Sequence, residues 1–384
     1  TGDGTSFIDI ASPAADWTAP NFPTIGLVHR NRLWAFMDQA AYASDTGDHE
    51  QFTSNNLIQY IYPGEGGKII GSYVYKGRLF AFKDGGFVYY LDESASDSSN
   101  WYWKKLISNF GIASPNGIFQ ALDDLIVVND TGTLTSYKAT DAFGDIESAD
   151  LMRNMQMESF LRNNFSLAGL TEAHSIYYAA KKQAFITYRS TYSNTNDMLW
   201  VIDVNKQNPK ITYWLKGSPQ CLALRKFNHG LAKPIYGDTD GYVHILDYED
   251  RVEGSTAYEA MFQTKHEDFR ALDPNMANQQ KHFDFLWLEY LAEGSWTVSI
   301  DVLIDGVFRE TLTVPMQAQG NYLDEFLLDT DYLAERVTQS NPIPLHGTGR
   351  RISFKVYNNG SNQSFQITSL TVGFRVGSDG SVKL

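Results

Sequence analysis

Cysteine is nearly absent from this chain: Cys221 is the single one among 384 residues. A lone thiol excludes an internal disulfide framework and a zinc site built on thiolates, and it fits assembly in a reducing cytoplasm. Cys221 lies in the apolar run CLAL and reads as a buried strand residue rather than a reactive thiol. Long apolar stretches are also missing. The longest runs fall far short of the roughly 20 residues that cross a bilayer as a helix, and no basic and apolar leader opens the chain. The expectation is a protein that does not insert into a membrane. The first residue is Thr1 rather than Met, as in a fragment or a processed product.

Positive charge is scarce. Lys and Arg number 31 against 45 Asp and Glu, a net charge of -14, whereas proteins that grip nucleic acid concentrate cations against phosphates. The best basic clusters, LRKFNHG around Arg225 and Lys226 and GRR at Arg350 and Arg351, are brief. Acidity suits solubility, and equally a surface past which DNA slides without adhering.

Catalytic signatures are missing as well. The eight histidines are scattered, and no two stand at the i, i+4 spacing of a helical zinc motif. There is no Gly-x-Ser-x-Gly elbow, and the Gly-rich PGEGGK at Pro63 lacks the strand-loop-helix setting of a phosphate cradle. Asp45, Asp48 and Glu50, like Asp238 and Asp240, sit beside glycines, where Asp serves turn chemistry more often than acid-base work. GDTDGYVHILD resembles an Asp-rich calcium loop, but it lacks the helix-loop-helix setting in which an EF-hand places its acidic twelfth residue, so a hairpin turn is expected. The chain reads as no enzyme, with no catalytic residue, no cofactor and no metal.

What is present is repetition. A short strand, a polar turn, a hydrophobic strand, an Asp/Gly/Asn turn and an aromatic strand recur as IGLVHRNRLWAFMDQAAYASD from Ile25, IIGSYVYKGRLFAFKDGGFVYYLDE from Ile69 and GIFQALDDLIVVNDTGTLTSYKA from Gly117. Looser copies start at His174 and Cys221. Meanders repeating about every 45 to 55 residues point to a β-propeller. Lys76-Gly77, Asp84-Gly85-Gly86, Asp130-Thr131-Gly132 and Asp240-Gly241 supply the positive φ that hairpins require. One exception is DIESADLMRNMQMESFLRNN, where Ile146, Leu151, Met152, Met155 and Phe160 approximate a helical stripe after a Ser148 cap. A helical excursion is expected near 146–164.

After about residue 250 a polar linker gives way to long alternating strands, including TVSIDVLIDG, ISFKVYNN and FQITSLTVGFRV. Each buries one face, Asp305-Gly306 joins two of them as a hairpin, and two sheets around a shared core make a β-sandwich. A long loop from about Gln317 to Thr348 is read as a contact element or an ordinary insertion. The expected fold is therefore all-β: an irregular β-propeller over 1–250, of about five to six blade-like units, then a β-sandwich over 251–384.

Candidate interface residues follow from side-chain type. Trp101 and Trp103 in NWYWKKL offer large area for a partner pocket or a sugar ring, although alternation buries either Tyr102 or the two tryptophans in the blade. Met152, Met155 and Met157 form an adaptable apolar surface.

The phrases YASDTGDHEQF, GEGGKIIGSYVYKGRLFAFKDGGFVYYL and NFGIASPNGIFQALDDLIVVNDTG resemble the propeller of bacteriophage tail and neck proteins. That group includes the tail hub or nozzle and the packaged-DNA stabilisation protein, or stopper, of short-tailed phages; His49 stands where the group has Pro. YEAMFQTKHEDF, QQKHFDFLWLEYLAEGSWTVSIDVLIDG and GRRISFKVYNNGSNQSFQITSLTVGFRVGSDG resemble its C-terminal sandwich. The resemblance implies a virion component assembled in the host cytoplasm: a homomeric ring, six copies by analogy, that lines or closes the DNA exit channel. Its partners would be the neighbouring portal, adaptor or tail proteins and the passing DNA. The alternative is a propeller lectin for host-surface glycan with the sandwich as an accessory binding domain, which would repeat one polar and aromatic pocket in every blade.

Overall fold

A computed structural model describes residues 10–376 apart from 53–57, 109–110, 140–145, 151–162, 205–209, 216, 227–229, 231, 247–251, 254–255, 258, 292–293, 295, 317–336, 341 and 362. The chain forms two compact units, residues 1–247 and 248–384.

The first unit is a series of antiparallel meanders, each sheet ordered as its strands follow in sequence. Blade 1 comprises Ile25–His29, Arg32–Met37, Ala40–Ala43 and Ile58–Tyr60, and blade 2 comprises Ile69–Tyr75, Arg78–Lys83, Phe87–Asp92 and Tyr102–Ser108. Blade 3 is Ile118–Ala121, Asp124–Val128, Leu134–Ala139 and Ile146–Asp150; blade 4 is Ser175–Tyr178, Gln183–Tyr188, Met198–Asp203 and Lys210–Trp214. Blade 5 has Cys221–Lys226, Ala232–Gly237 and Val243–Ile245. Tight turns fix the register. Lys76 and Gly77 both have positive φ, 48° and 74°, and close the two-residue loop between the paired residues Tyr75 and Arg78, as the primed hairpin turns demand.

Alternation along the strands then decides which neighbour each side chain serves. In blade 2, Leu79 and Ala81 join Trp34 and Phe36 of blade 1 in one core, whereas Phe80 and Phe82 join Leu125 and Val127 of blade 3 in the next. On the other face of blade 3, Ile126 and Val128 meet Ala184, Ile186 and Trp200 of blade 4. Phe185, Leu199 and Val201 of blade 4 turn to Leu222 and Tyr236 of blade 5. Meander sheets stacked face to face in chain order make the irregular β-propeller read from the repeats. Each large side chain buried this way contributes about 1.5 to 3 kcal/mol of transfer free energy. A lysine sits in the stack: the Lys83 side chain is fully buried and its Nζ donates to the Ile61 and Tyr62 carbonyls at 2.9 and 3.2 Å. Burial draws its pKa down, and the carbonyls hold the ammonium.

The expected helix is corrected in part. Ile146–Asp150 form the fourth strand of blade 3, with Ile146 opposite Ala139 and Asp150 opposite Thr135, so Ser148 is a strand residue and no cap. The open edge of Leu134–Ala139 offers a full set of backbone partners, which here outweighs a soft helical period. Residues 151–162 lie outside the described residues, and Asn163 and Asn164 are helical.

The second unit is a sandwich of two sheets. One runs Ala260–Gln263, Ile352–Asn358, Thr297–Ile304, Val307–Pro315; in the other, Lys281–Leu291 pairs with Gln366–Val376 along one edge and with Val337–Gln339 and Ile343–Gly349 along the other. The last two strands correct the long loop read to Thr348. Val298, Ile300, Val302 and Ile304 from one sheet and Phe283, Leu286, Leu288 and Tyr290 from the other fill a single core. Asp305 and Gly306, at φ 53° and 83°, make the expected hairpin turn. Lys281 is a second fully buried lysine, its Nζ donating to the carbonyls of Met276, Gln279 and Arg350 at 2.6, 3.2 and 2.9 Å.

Candidate functional site

Trp103 is interior rather than a free anchor. It is 5% exposed and meets Trp34 edge-on, with ring centroids 6.3 Å apart at 88°. Trp101 is half-buried against the same core, its indole N–H donating to the Ala95 carbonyl at 2.9 Å. Of the two patterns alternation allows, the blade buries the tryptophans and turns Tyr102 outward, 52% exposed. Both tryptophans thus serve the contact between blades 1 and 2. Met152, Met155 and Met157 lie outside the described residues.

The acidic turns are occupied by their own backbone. Asp238 Oδ1 accepts from the amides of Asp240 and Tyr242 at 2.9 and 2.8 Å, and its Oδ2 lies 2.7 Å from His244 Nε2. These bonds, His244 first, hold its carboxyl below the usual range. The GDTDG segment is therefore a side-chain-braced hairpin turn, with both carboxyl oxygens of Asp238 engaged within it. Asp48 accepts from the Glu50 amide at 3.1 Å in the same manner. Among the described residues no group of three or more His, Cys, Asp or Glu is placed to hold a metal ion. A buried pair with an exposed third member does link blades 1 and 2: His29 Nε2 lies 2.5 Å from Glu93 Oε1, and the exposed Arg30 donates through Nε to Glu93 Oε2 at 3.1 Å. The carboxylate is compensated on both oxygens, which is a brace.

The unusual surfaces are at the two ends of the blade series. In blade 5 the register sets Cys221 opposite Gly237 and Gly237 opposite Val243, then Ala223 opposite Ile235 and Ile235 opposite Ile245. Opposed residues share a face, so these two rows form one apolar face, and it is turned away from the Leu222 and Tyr236 core. Val243 is 64% and Ile245 39% exposed, and Cys221 is exposed, against the expectation that this thiol is buried. Every earlier blade covers both faces; here no described residue of the apolar cores covers the second one. At the other end, the outer face of blade 1 is roofed by Ala14, Trp17 and Phe52. Beside this roof opens a cleft of about 650 Å³ lined by Ile10, Pro13, Trp17, Phe22, Pro23 and Ile25, among others. Its lining carries no titratable group, so it suits an apolar insertion rather than acid-base chemistry.

The blade 5 face was not singled out from sequence. The signal was present in CLALRK and AKPIYG, which are apolar at both odd and even positions like the two-faced strands of blades 2 to 4. A two-faced strand reads the same whether or not a neighbour follows it.

No family model matches the sequence, and no curated protein matches it. Solved structures share the β-rich architecture at low similarity. BBS1N in complex with ARL6DN superposes with a TM-score of 0.37 at 8% identity, over 59% of this chain and 66% of that one. The exo-beta-1,3-galactanase of Phanerochaete chrysosporium gives 0.31 at 8% identity, over 91% and 95%. The WD40 domain of SCAP from fission yeast gives 0.30 at 10% identity, over 86% and 82%. Likenesses at this level carry nothing about activity, and the fold stands on the sheets described above.

Proposed function

We propose that this chain is a structural component of a phage tail or neck that works as a homomeric ring around the DNA passage. The observation that carries the reading is the bare apolar face of blade 5, with Val243 and Ile245 exposed, paired with a dissimilar apolar cleft at blade 1. Two unlike patches on one chain make a head-to-tail contact, and such contacts close into rings when the rotation allows. The resemblance to phage tail and neck propellers supports the same reading and supplies six copies as the expected number. A net charge of -14 supports a bore wall that repels passing DNA instead of binding it. Portal, adaptor or tail proteins would dock on the ring, and the chain would act mechanically, without catalysis. No helix among the described residues is long and apolar enough to cross a membrane.

Mass photometry of the full chain tests this. The wild type is expected as a ring of defined mass, and the double variant Val243→Asp, Ile245→Asp as monomers with unchanged far-UV circular dichroism. A strictly monomeric wild type at micromolar concentration contradicts the proposal. So does a ring that survives both substitutions.

A further inference from the structure

The sandwich carries an aromatic platform that its core does not use. Lys281–Leu291 contains a register shift between Phe283 and Phe285, and such a bulge inserts one residue and re-aims those after it. Phe283 points into the core, and after the shift Leu286, Leu288 and Tyr290 do, so Phe285, Trp287 and Glu289 share the outer face. Strict alternation would have sent Phe285 inward with Phe283. Phe285 is instead 44% exposed, and its ring centroid lies 5.9 Å from that of Trp287.

The Trp287 indole reaches across to the neighbouring strand and rests on Gly373. A Cβ at that position would stand 3.0 Å from Trp287 Cζ3 and 3.2 Å from Cη2. A side chain there would have to push the indole back by a few tenths of an ångström, so the glycine is what lets the ring approach the neighbouring strand this closely. The rim is polar. Thr371 stands opposite Trp287, and Ser369 opposite Glu289. Beyond Phe285, Arg375 donates to both oxygens of Asp284 at 2.9 and 2.7 Å, in the bidentate geometry that fixes both planes. Among the described residues the Trp287 indole N–H has no acceptor.

We propose that this face binds a pyranose unit of a neutral polysaccharide. A sugar ring needs a flat apolar surface for its C–H face together with donors and acceptors at the edge for its hydroxyls, and both are present. The other partners of an aromatic platform fit less well. Stacked nucleic-acid bases require a basic groove along the backbone, and Arg375 beside the rings is neutralised by Asp284. A stable protein interface covers about 800 Å² a side around an apolar centre, whereas the apolar part of this face is Phe285, Trp287 and the exposed Pro344 set opposite Phe285. The inference rests on the second unit alone and is independent of ring assembly by the first.

The test is affinity electrophoresis of the full chain in native gels cast with dextran, galactomannan, xyloglucan or mixed-linkage β-glucan. Retardation is expected in at least one gel, weakened about tenfold or more in dissociation constant by Trp287→Ala, the worth of one stacking contact. Phe285→Ala removes a partly exposed ring and tests the same face without a core cost, so it decides the matter if Trp287→Ala fails to fold. Tyr192→Ala, at a 93% exposed position of the first unit, should migrate as the wild type. Absence of retardation in all four gels overturns the proposal, as does retardation that persists in Phe285→Ala. A change of assembly mass in either variant, without loss of polysaccharide binding, would make the face a protein interface and overturn it too.

Discussion

In the blade unit the interior is divided: Leu79 and Ala81 enter one core while Phe80 and Phe82 enter the next. In the sandwich Val298, Ile300, Val302 and Ile304 all enter the same one. The first arrangement spreads burial over a chain of neighbours, each sheet completed by the one after it. The second closes on itself, one face in and one face out. An open series of two-faced sheets has ends, one roofed by Ala14, Trp17 and Phe52 at blade 1 and the other, at blade 5, left uncovered among the described residues. The sandwich has no such obligation, and the Phe285 and Trp287 pair on its outer face is the surface proposed above to take a ligand. The comparison teaches where to look for partners in each unit: at the termini of the array in one, and at a local break of alternation in the other.

Two isoleucines with no exposure put this difference to the test. Ile186 lies between blades 3 and 4 and Ile300 in the sandwich core, and truncation of either to Ala is expected to cost about 2 to 5 kcal/mol. The losses should differ in reach. Amide hydrogen exchange in Ile300→Ala is expected to quicken throughout both sandwich sheets, because all their strands share one core. In Ile186→Ala it should quicken in blades 3 and 4 and leave blade 1 at its wild-type rate, as in repeat arrays coupled only through neighbours. Uniform loss of protection over the first unit would show that its cores act as one.

A smaller separation is expected in the response to pH. Burial, aided by Asp16, pushes the Tyr42 phenol up to about 12, and Tyr89, Tyr137 and Tyr188 of the blades are raised as well, chiefly by burial. In the sandwich, Tyr290 is raised among the described residues. A raised phenol favours the folded state fully below its ordinary value near 10 and loses that contribution as pH climbs through its folded value. Alkaline melting should therefore strike the blades first, between about pH 10 and 12 for Tyr42, and Tyr42→Phe should flatten that limb. Asp268 works in the opposite sense. Its bonds from Arg270 bring it from 3.8 down to about 2, so its contribution is complete above about pH 4 and fades as pH falls towards 2. Asp268→Asn should remove that part of the acid limb. Thermal melts across pH, read separately for the two units by hydrogen exchange, check both signs. An alkaline limb unchanged in Tyr42→Phe would detach that phenol from the blade stability.

Much of this architecture is legible in the residues, because turn chemistry is local. Lys76-Gly77 and Asp305-Gly306 announce their hairpins through the positive φ they adopt, and alternation in TVSIDVLI assigns inside and outside for the whole strand. What is not legible depends on a partner elsewhere in the chain. Ile146–Asp150 resemble the start of a helix until the free edge of Leu134–Ala139 is set beside them. The bulge after Phe283 leaves no mark in HFDFLWLEY, since it arises from pairing with Gln366–Val376. Trp101 and Trp103 carry the same message as interface anchors or as core, and the strand parity of blade 2 decides for core. Cys221 follows the same logic in reverse: its apolar neighbours make it look interior, and the end of the series leaves it outside.

That thiol is the most direct probe of the central claim, because the chain's single cysteine lies within the face proposed to join one copy to the next. The rate of maleimide addition to Cys221 should be measured on the assembled wild type and on Val243→Asp, Ile245→Asp monomers under the same non-denaturing conditions. The account predicts slow addition in the ring and fast addition in the monomers. Equally fast addition in an intact ring would mean that the blade 5 face stays open to solvent, and that the ring is not built on it.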